Sequence, residues 1–342
     1  MTSLERVQAT LGHREPDRVP LFLMLTMHGA KELGLTIREY FAKAERVVEG
    51  QLRLRAKYGH DCLCPFFYAA LEVEAWGGEV VFREDGPANS GEPIIKKPEQ
   101  ILELAPPGIE ESSGLCKALR AIEMLKSRLG EEAPIIGVAI GPFSLPVMQM
   151  GFEPYLDLMY ERADLFERLM WVNEVFSANW ANAQLDAGAT AICYFDPVSS
   201  TTITPRDRFT RTGLQVAQRT LQRIHGPVAV HLASGRCLPI LEDLIELGPA
   251  VIGVGPLEDL ATIKAACRGR AAVLGNLNGV EMCRWSPQQA ETVVREALAK
   301  AASGGGFILS DGHGEIPFQV TEEVLMAIAS AARRWGTYPR EP

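Results

Sequence analysis

Short apolar runs alternate with longer amphipathic segments along most of the 342-residue chain. The amphipathic segments repeat with the period of about 3.6 residues that is typical of helices, and the clearest lie at 155–187, 204–224, 238–247 and 287–302. The first of these is long enough for two helices. Apolar runs bounded mostly by Pro, Gly or Asp predict eight buried strands, at 19–25, 61–67, 134–140, 190–195, 227–232, 250–254, 272–275 and 306–310.

Strands that alternate with helices pair in parallel, and eight of them favour a closed (β/α)8 TIM barrel. An open doubly wound sheet is the alternative, but it normally has a glycine-rich phosphate turn after its first strand, and Thr26-Met-His-Gly-Ala30 is not one. The alternation breaks at 77–98, which predicts a β-hairpin insertion after the second strand. With 1–18 as an N-terminal helical segment, residues 1–342 are predicted to form a single TIM-barrel domain.

Composition narrows the class of protein. The net charge of −9, with no stripe of Lys and Arg, argues against nucleic-acid binding. No apolar run approaches the roughly 20 residues of a membrane span. The first residues lack the apolar centre of a signal peptide. Seven irregularly spaced cysteines suit a reducing compartment better than a disulfide scaffold. These observations predict a soluble, cytoplasmic protein.

Two histidines stand at the ends of predicted strands. His231 closes one run, and His313 lies between two glycines just after the last run. Asp196 follows a third strand, and strand ends at the C-terminal rim carry the chemistry of a barrel. Two imidazoles and a carboxylate fit an acid–base site or a zinc site. We predict His313, His231 and Asp196 to be catalytic, with the two histidines as metal ligands if zinc is bound; a core or loop histidine is the plainer alternative for each.

Other side chains near strand ends are predicted to bind substrate. Several are methionine or aromatic, and such walls adapt to flat apolar ligands. A flat aromatic substrate is therefore expected. Asp311 and Glu315 flank His313, and either could instead cap the helix that follows. The predicted substrate-binding residues are His28, Met24, Phe67, Tyr68, Glu72, Phe143, Met148 and Asn276.

Motifs along nearly the whole chain resemble, in order, those of the uroporphyrinogen decarboxylase superfamily. The superfamily also holds corrinoid-dependent methyltransferases related to methylcobamide:coenzyme M methyltransferase, and its fold is a distorted TIM barrel, so the resemblance implies that fold here. The motifs are Gly34-Leu-Thr-Ile-Arg-Glu-Tyr40, Gly77-Gly-Glu-Val80, Asp85-Gly-Pro87, Ile140-Gly-Pro-Phe143, Gln184-Leu-Asp-Ala-Gly188, Phe195-Asp-Pro197, His231, Gly275-Asn-Leu277, Gly305-Gly-Phe-Ile-Leu309 and Gly312-His-Gly314.

Two departures separate the chain from the decarboxylases. Those enzymes hold the tetrapyrrole carboxylates with arginines of an N-terminal segment, because a guanidinium fork donates two parallel hydrogen bonds. The corresponding segment here, Leu25-Thr-Met-His-Gly-Ala-Lys31, has no arginine. They also place an aspartate where this chain has Phe67-Tyr-Ala-Ala70. The resemblance thus argues against uroporphyrinogen and leaves a related lyase, acting on another carboxylic acid, as an alternative.

A third departure concerns zinc. The thiol-methylating branch carries zinc on a His-x-Cys pair and on a later Cys between glycines, whereas this chain has His231-Leu-Ala233 and then His313. Thiolates suit a zinc ion that activates a thiol. A methylcobamide:thiol methyltransferase is therefore the less favoured alternative, and zinc on His231, His313 and a carboxylate stays open.

The favoured hypothesis is a methyltransferase of the O-demethylase type, which takes a methyl group from a methoxylated, aromatic donor to a Co(I) corrinoid. An ether oxygen leaves poorly unless it is protonated or polarised, and histidines can do this without thiolates. The corrinoid, carried by a partner protein, is implied by the resemblance alone. The expected partners are that corrinoid protein and the small-molecule donor. A homodimer is left open, as is a non-catalytic scaffold.

Overall fold

Parallel strands in sequence order form the centre of the fold. The computed structural model describes residues 1–65 and 68–339. The strands are β1 (Val80–Val81), β2 (Asn89–Ser90), β3 (Ile136–Ile140), β4 (Ala191–Phe195), β5 (Val228–His231), β6 (Val251–Gly253), β7 (Ala272–Leu277) and β8 (Phe307–Asp311). Strands β3 to β8 form one six-stranded parallel sheet in which neighbours along the chain are neighbours in the sheet.

Two segments close the six-stranded sheet through single residues. Leu21 bridges in parallel to Leu309 of β8, and Leu63 bridges in parallel to Ile135, just before β3. Between these segments the Asp61 N–H donates to the Leu21 carbonyl oxygen at 2.7 Å. These contacts join the two edges of the six-stranded sheet into a closed, distorted barrel. The open doubly wound sheet is therefore excluded.

Six of the eight predicted strands are confirmed to within two residues at each end. The predicted strands at 19–25 and 61–67 are wrong as continuous ladders, and residues 66 and 67 lie outside the described ranges. Pro20 and Pro65 interrupt these two runs, and a proline has no N–H to donate to a neighbouring strand.

Helices separate the strands and cover the outside of the sheet. The predicted pair of helices over 155–187 is confirmed as α8 and α9, which meet at Arg162, whose backbone is not helical. The helices are α1 (Ser3–Leu11), α2 (Gly29–Leu33), α3 (Ile37–Phe41), α4 (Ala44–Tyr58), α5 (Leu71–Glu74), α6 (Ser113–Leu129), α7 (Pro146–Met150), α8 (Phe152–Glu161), α9 (Ala163–Asp186), α10 (Arg206–Arg211), α11 (Gly213–Leu221), α12 (Leu241–Glu246), α13 (Leu260–Ala266), α14 (Gly279–Met282), α15 (Pro287–Ala301) and α16 (Glu322–Trp335).

The break in alternation after the second predicted strand contains a very short antiparallel ladder. Val80 pairs with Ser90 and Val81 with Asn89. Beyond this two-residue ladder, the hairpin insertion over 77–98 stays a prediction, as does the single domain. Within the described ranges, no helix combines the length and apolarity that crossing a membrane requires.

Candidate active site

An apolar cavity of about 350 Å³ opens at the C-terminal ends of the strands. The last residues of β3 and β4, Ile140 and Phe195, contribute to its wall. Three of the lining residues carry polar side chains, namely Ser144, His313 and Glu315. The full lining is Met24, Ala69, Ile140, Ser144, Val147, Met148, Phe152, Phe195, Pro197, Val198, Ile203, Ala233, His313, Gly314 and Glu315.

His313 is positioned by the loop that follows β8. One carboxylate oxygen of Asp311 accepts hydrogen bonds from the backbone N–H groups of His313 at 3.0 Å and Gly314 at 2.7 Å. Gly314 has a φ of 105°, and a Cβ atom there would lie 2.4 Å from the Phe195 ring. Only glycine fits both this left-handed backbone and this close approach. The loop therefore holds His313 in the cavity wall against the end of β4.

The protonation state of His313 follows from its contacts. Its Nδ1 atom accepts a hydrogen bond from the backbone N–H of Gly279 at 3.2 Å. Burial lowers the pKa of His313, partly offset by the charge of Glu281. At neutral pH the ring is therefore uncharged, with its proton on Nε2.

His231 lies behind the cavity wall. Its ring stacks on Phe195 with centroids 4.8 Å apart, and it is 1% exposed. Its Nδ1 atom accepts from the Ala233 N–H at 2.9 Å, whereas Nε2 has no partner among the described residues. Burial lowers the pKa of His231 to about 4, with a smaller contribution from His313 when that ring is protonated. The two histidines lie at the same end of the barrel, but His313 alone of the two lines the cavity.

Asp196 binds hydroxyl groups rather than an imidazole. Ser144 and Ser199 each donate to one of its carboxylate oxygens at 2.5 Å. Burial raises the pKa of Asp196 to about 6, although both hydrogen bonds oppose the rise. Its side chain is thus fixed by the two serines, and it orients the hydroxyl of Ser144 in the cavity wall.

The predicted substrate-binding residues occupy different places. Met24 and Met148 line the cavity. His28 lines a separate cavity of about 210 Å³ between α2 and the segment after β8. Phe143 packs against Tyr155 and Phe166 in a buried cluster.

The remaining predicted residues make structural contacts. Tyr68 donates to Glu74 at 3.0 Å. Glu72 is buried and accepts from the Ile140 N–H at 2.8 Å. Asn276 donates to the carbonyl oxygens of two residues in the loop after β6, each at 3.1 Å. Phe67 lies outside the described residues.

Glu315 lines the cavity, although the sequence analysis does not predict it as a site residue. A role as the cap of the following helix explained its position in the sequence equally well. Its side chain is half-buried in the cavity wall. Burial, together with the nearby charge of Asp311, raises its pKa to about 8. The one feature of the sequence that could have indicated Glu315 as a site residue is its position just past the end of β8.

A second feature that the sequence did not indicate is a clasp between neighbouring loops. The thiol of Cys237 donates to Glu258 at 2.8 Å, and the backbone N–H groups of Cys237 and Leu238 donate to the same carboxylate. Burial and this carboxylate raise the pKa of the thiol well above its usual range. The clasp stiffens the rim but leaves the thiol unreactive.

The donor set does not fit zinc. His231 and His313 both use Nδ1 to accept from a backbone N–H, and the oxygens of Asp196 are taken by serines. Within residues 1–65 and 68–339 no group of three His, Cys, Asp or Glu side chains is arranged to hold a metal ion. A zinc site normally needs at least about three protein ligands. The predicted metal role of the two histidines therefore has no support from the geometry.

The motif resemblance is confirmed by comparison with known proteins. The chain belongs to the uroporphyrinogen decarboxylase (URO-D) family, which matches residues 2–335. The solved structure of a methyltransferase from Methanosarcina mazei has a similar fold, with a TM-score of 0.88 at 21% identity over 98% of this chain and 99% of that one. The fold is therefore that of this family's α/β barrel.

Relatives named for two different reactions are about equally similar in sequence. The methylcobamide:CoM methyltransferase MtaA of Methanosarcina barkeri is 26% identical over 213 residues, which is 62% of each chain. The MtaA of Methanosarcina barkeri strain Fusaro is 24% identical over 95% of this chain and 96% of that one. The uroporphyrinogen decarboxylase of Pelobacter propionicus is 27% identical over 93% and 95%. The choice between the two reactions thus depends on the chemistry of the site.

Proposed function

We propose that this chain is a corrinoid-protein-dependent methyltransferase that removes a methyl group from a methoxylated, aromatic donor. The observation that carries the proposal is the apolar cavity with the neutral imidazole of His313 in its wall. Methionine side chains at 24 and 148 and the ring of Phe195 give that wall a surface suited to a flat apolar ring. The volume lies within the range of ligand pockets, roughly 300–1,000 Å³.

His313 supplies the polarisation that an ether oxygen needs. Because Nδ1 accepts from Gly279, Nε2–H is the ring's donor for a ligand in the cavity. A fixed donor in the wall of an apolar cavity costs no reorganisation when negative charge develops on the departing oxygen. In our proposal this hydrogen bond stabilises that oxygen as the bond to the methyl carbon breaks.

The methyl acceptor is proposed from the similarity to the MtaA relatives. A reduced corrinoid, carried by a separate protein, supplies a strong nucleophile for the methyl carbon. The cavity mouth is suited to such an acceptor because Phe152 and Ile203 line it while being 42% and 37% exposed. These apolar side chains can contact a large, flat macrocycle that closes the cavity from outside.

The lining chemistry disfavours the two alternatives. Neither Arg nor Lys stands among the cavity residues of the described chain, so a substrate with many carboxylates would find no cationic partner there. None of the described cysteines lines the cavity either, which leaves a thiol substrate without the soft ligands of an activating zinc ion. Ether cleavage therefore fits the site better than decarboxylation of a polyacid or thiol methylation.

The test uses the purified chain with a corrinoid protein reduced to Co(I). Methylation of the corrinoid, followed by its absorbance, is expected when a methoxyarene is added and not when the chain or the methoxyarene is left out. Release of CO₂ from a carboxylated arene, without methylation, would instead identify a lyase. Binding of the corrinoid protein without turnover of any donor would identify a scaffold.

We also propose a homodimer, a single domain and a cytoplasmic location. Sedimentation tests the homodimer, limited proteolysis tests the single domain, and cell fractionation tests the location.

A further inference from the structure

Two of the three polar side chains in the cavity wall have no acidic proton to give. The Nδ1 atom of His313 accepts from Gly279, so the ring is a neutral hydrogen-bond donor. The hydroxyl of Ser144 already donates its proton to Asp196 at 2.5 Å. An unactivated ether nevertheless needs a proton on its leaving oxygen, since an alkoxide or phenoxide is a poor leaving group.

Glu315 is the third polar side chain, and its surroundings favour the protonated form. It lines the apolar cavity, and within the described ranges its carboxyl group has neither a hydrogen-bond partner nor an ion-pair partner. Desolvation, reinforced by the charge of Asp311, raises its pKa to about 8. At neutral pH it is thus a carboxylic acid with its O–H free to point at a ligand.

Asp311 adds to the effect of desolvation in opposing ionisation of Glu315. Its oxygen Oδ2 is held by the N–H groups of His313 and Gly314, and its buried Oδ1 has no partner among the described residues. The negative charge of one carboxylate raises the pKa of a second carboxyl group near it, because like charges disfavour the ionised form. The same residue therefore fixes the loop and opposes ionisation of Glu315.

We propose that Glu315 is the catalytic acid of the methyl transfer, a role that rests on the proposed function. The bond between the ether oxygen and the methyl carbon breaks, and its electron pair stays on the oxygen. The methyl carbon takes up the electron pair of the reduced corrinoid, and the proton of the Glu315 carboxyl moves to the oxygen. The demethylated alcohol leaves, and solvent returns a proton to the Glu315 carboxylate. His313 stabilises the same oxygen by hydrogen bonding.

The test compares Glu315→Gln with Glu296→Gln, which removes an exposed carboxylate on α15, outside the cavity. With an unactivated methoxyarene, Glu315→Gln should lower kcat/KM about 10²–10³-fold. With a donor whose leaving group is already acidic or cationic, the loss should be less than about tenfold, because that bond breaks without a proton. Glu296→Gln should resemble the unsubstituted chain with both donors.

The pH profile supplies a readout that a merely structural role would not change. The unsubstituted chain should lose kcat/KM for the unactivated donor as pH rises past about 8, where Glu315 ionises. This basic limb should disappear in Glu315→Gln and persist in Glu296→Gln. Carboxyl ¹³C NMR of glutamate-labelled protein should show signals that titrate near pH 8, because burial raises the pKa of Glu72 as well as that of Glu315 to about 8. The one that is missing from Glu315→Gln belongs to Glu315.

The outcomes separate this inference from the proposed function. If the unsubstituted chain transfers methyl groups from ethers, and Glu315→Gln keeps both the rate and the basic limb, Glu315 is not the acid although the function stands. If the unsubstituted chain transfers no methyl group from any donor, the proposed function itself fails. Equal losses for both donors would overturn the acid role, because they would mean that Glu315 only shapes the cavity.

Discussion

The Nδ1 atom of His313 accepts a hydrogen bond from the backbone N–H of Gly279 at 3.2 Å, which joins the loop after β8 to the first turn of α14. A backbone N–H can only donate, so this contact assigns the lone pair to Nδ1 and the proton to Nε2. The sequence allowed His313 to be a proton donor or a metal ligand. Its contacts favour the neutral ring, whose Nε2–H can donate, and we propose that His313 acts in this form.

The first prediction concerns the contribution of this hydrogen bond. Replacing His313 by Ala removes the Nε2–H group that would stabilise the departing oxygen. We expect kcat/KM for an unactivated methoxyarene to fall about 10²–10³-fold, as when one oxyanion-hole donor is lost. With a donor that has a cationic leaving group, little charge develops on the leaving atom, and the loss should be much smaller. Steady-state kinetics with both donors measure the ratio.

His225→Ala is the matched control for this substitution. His225 is exposed and lies just before β5, at the opposite end of the strands from the cavity. It should leave both reactions unchanged. Equal losses in His313→Ala for every donor would contradict the polarising role and would assign His313 to the shape of the loop.

A second prediction separates His231 from His313. Because His231 is buried behind Phe195, its loss should act mainly on folding. His231→Ala leaves a space beside Phe195 and takes the acceptor from the Ala233 N–H, which should lower the free energy of unfolding by about 2–4 kcal/mol. Urea unfolding measures this change. Methyl transfer by the folded variant should fall less than about tenfold; a loss as large as that of His313→Ala would place His231 in direct contact with the reaction.

Zinc content is the third prediction. With no three-ligand set among the described residues, protein purified without chelators should contain less than about 0.2 equivalents of zinc per chain. Elemental analysis decides this. A stoichiometric zinc ion that is lost in both His231→Ala and His313→Ala would show that the two imidazoles share a metal, and it would restore the zinc alternative.

The order of strands and helices could be predicted from the sequence better than the contacts within the site. Apolar runs predicted β3 to β8 because each of these strands is buried on both faces. The bridges at Leu21 and Leu63 depend instead on hydrogen bonds between single backbone groups of distant segments, which an apolar run does not indicate. The end of a strand is visible in the sequence, so the position of His313 at the rim was predictable. The hydrogen-bond partner of its Nδ1 atom could not be predicted in this way.

Contacts between distant residues explain most of what the sequence missed. Asp196 follows a strand, as predicted, but its partner Ser144 lies 52 positions earlier, and no spacing rule connects the two. Phe143 also lies near a strand end, yet it turns into the cluster with Tyr155 rather than into the cavity. The pattern of a chain places residues at an end of the barrel, and packing then decides which of them face the ligand.

The last prediction concerns pH and stability. His28 is 3% exposed, and neither ring nitrogen makes a hydrogen bond of normal geometry with the described residues. Burial, helped by the charge of Lys31, lowers its pKa from 6.5 to about 3. Because the unfolded chain takes up this proton first, the contribution of neutral His28 to stability is complete above pH 6.5 and is lost as pH falls toward 3. Between pH 7.5 and pH 5 the loss amounts to about 2 kcal/mol.

His28→Leu should remove this share of the acid sensitivity. Leucine fills the same place with a side chain of similar size that does not titrate. The difference in free energy of unfolding between pH 7.5 and pH 5 should therefore shrink by about 2 kcal/mol. Denaturant unfolding at the two pH values measures the difference, and His225→Leu, at an exposed position, should leave it unchanged. An unaltered difference in His28→Leu would mean that His28 is already charged in the folded protein at pH 5, with an acceptor in its cavity that stabilises the imidazolium.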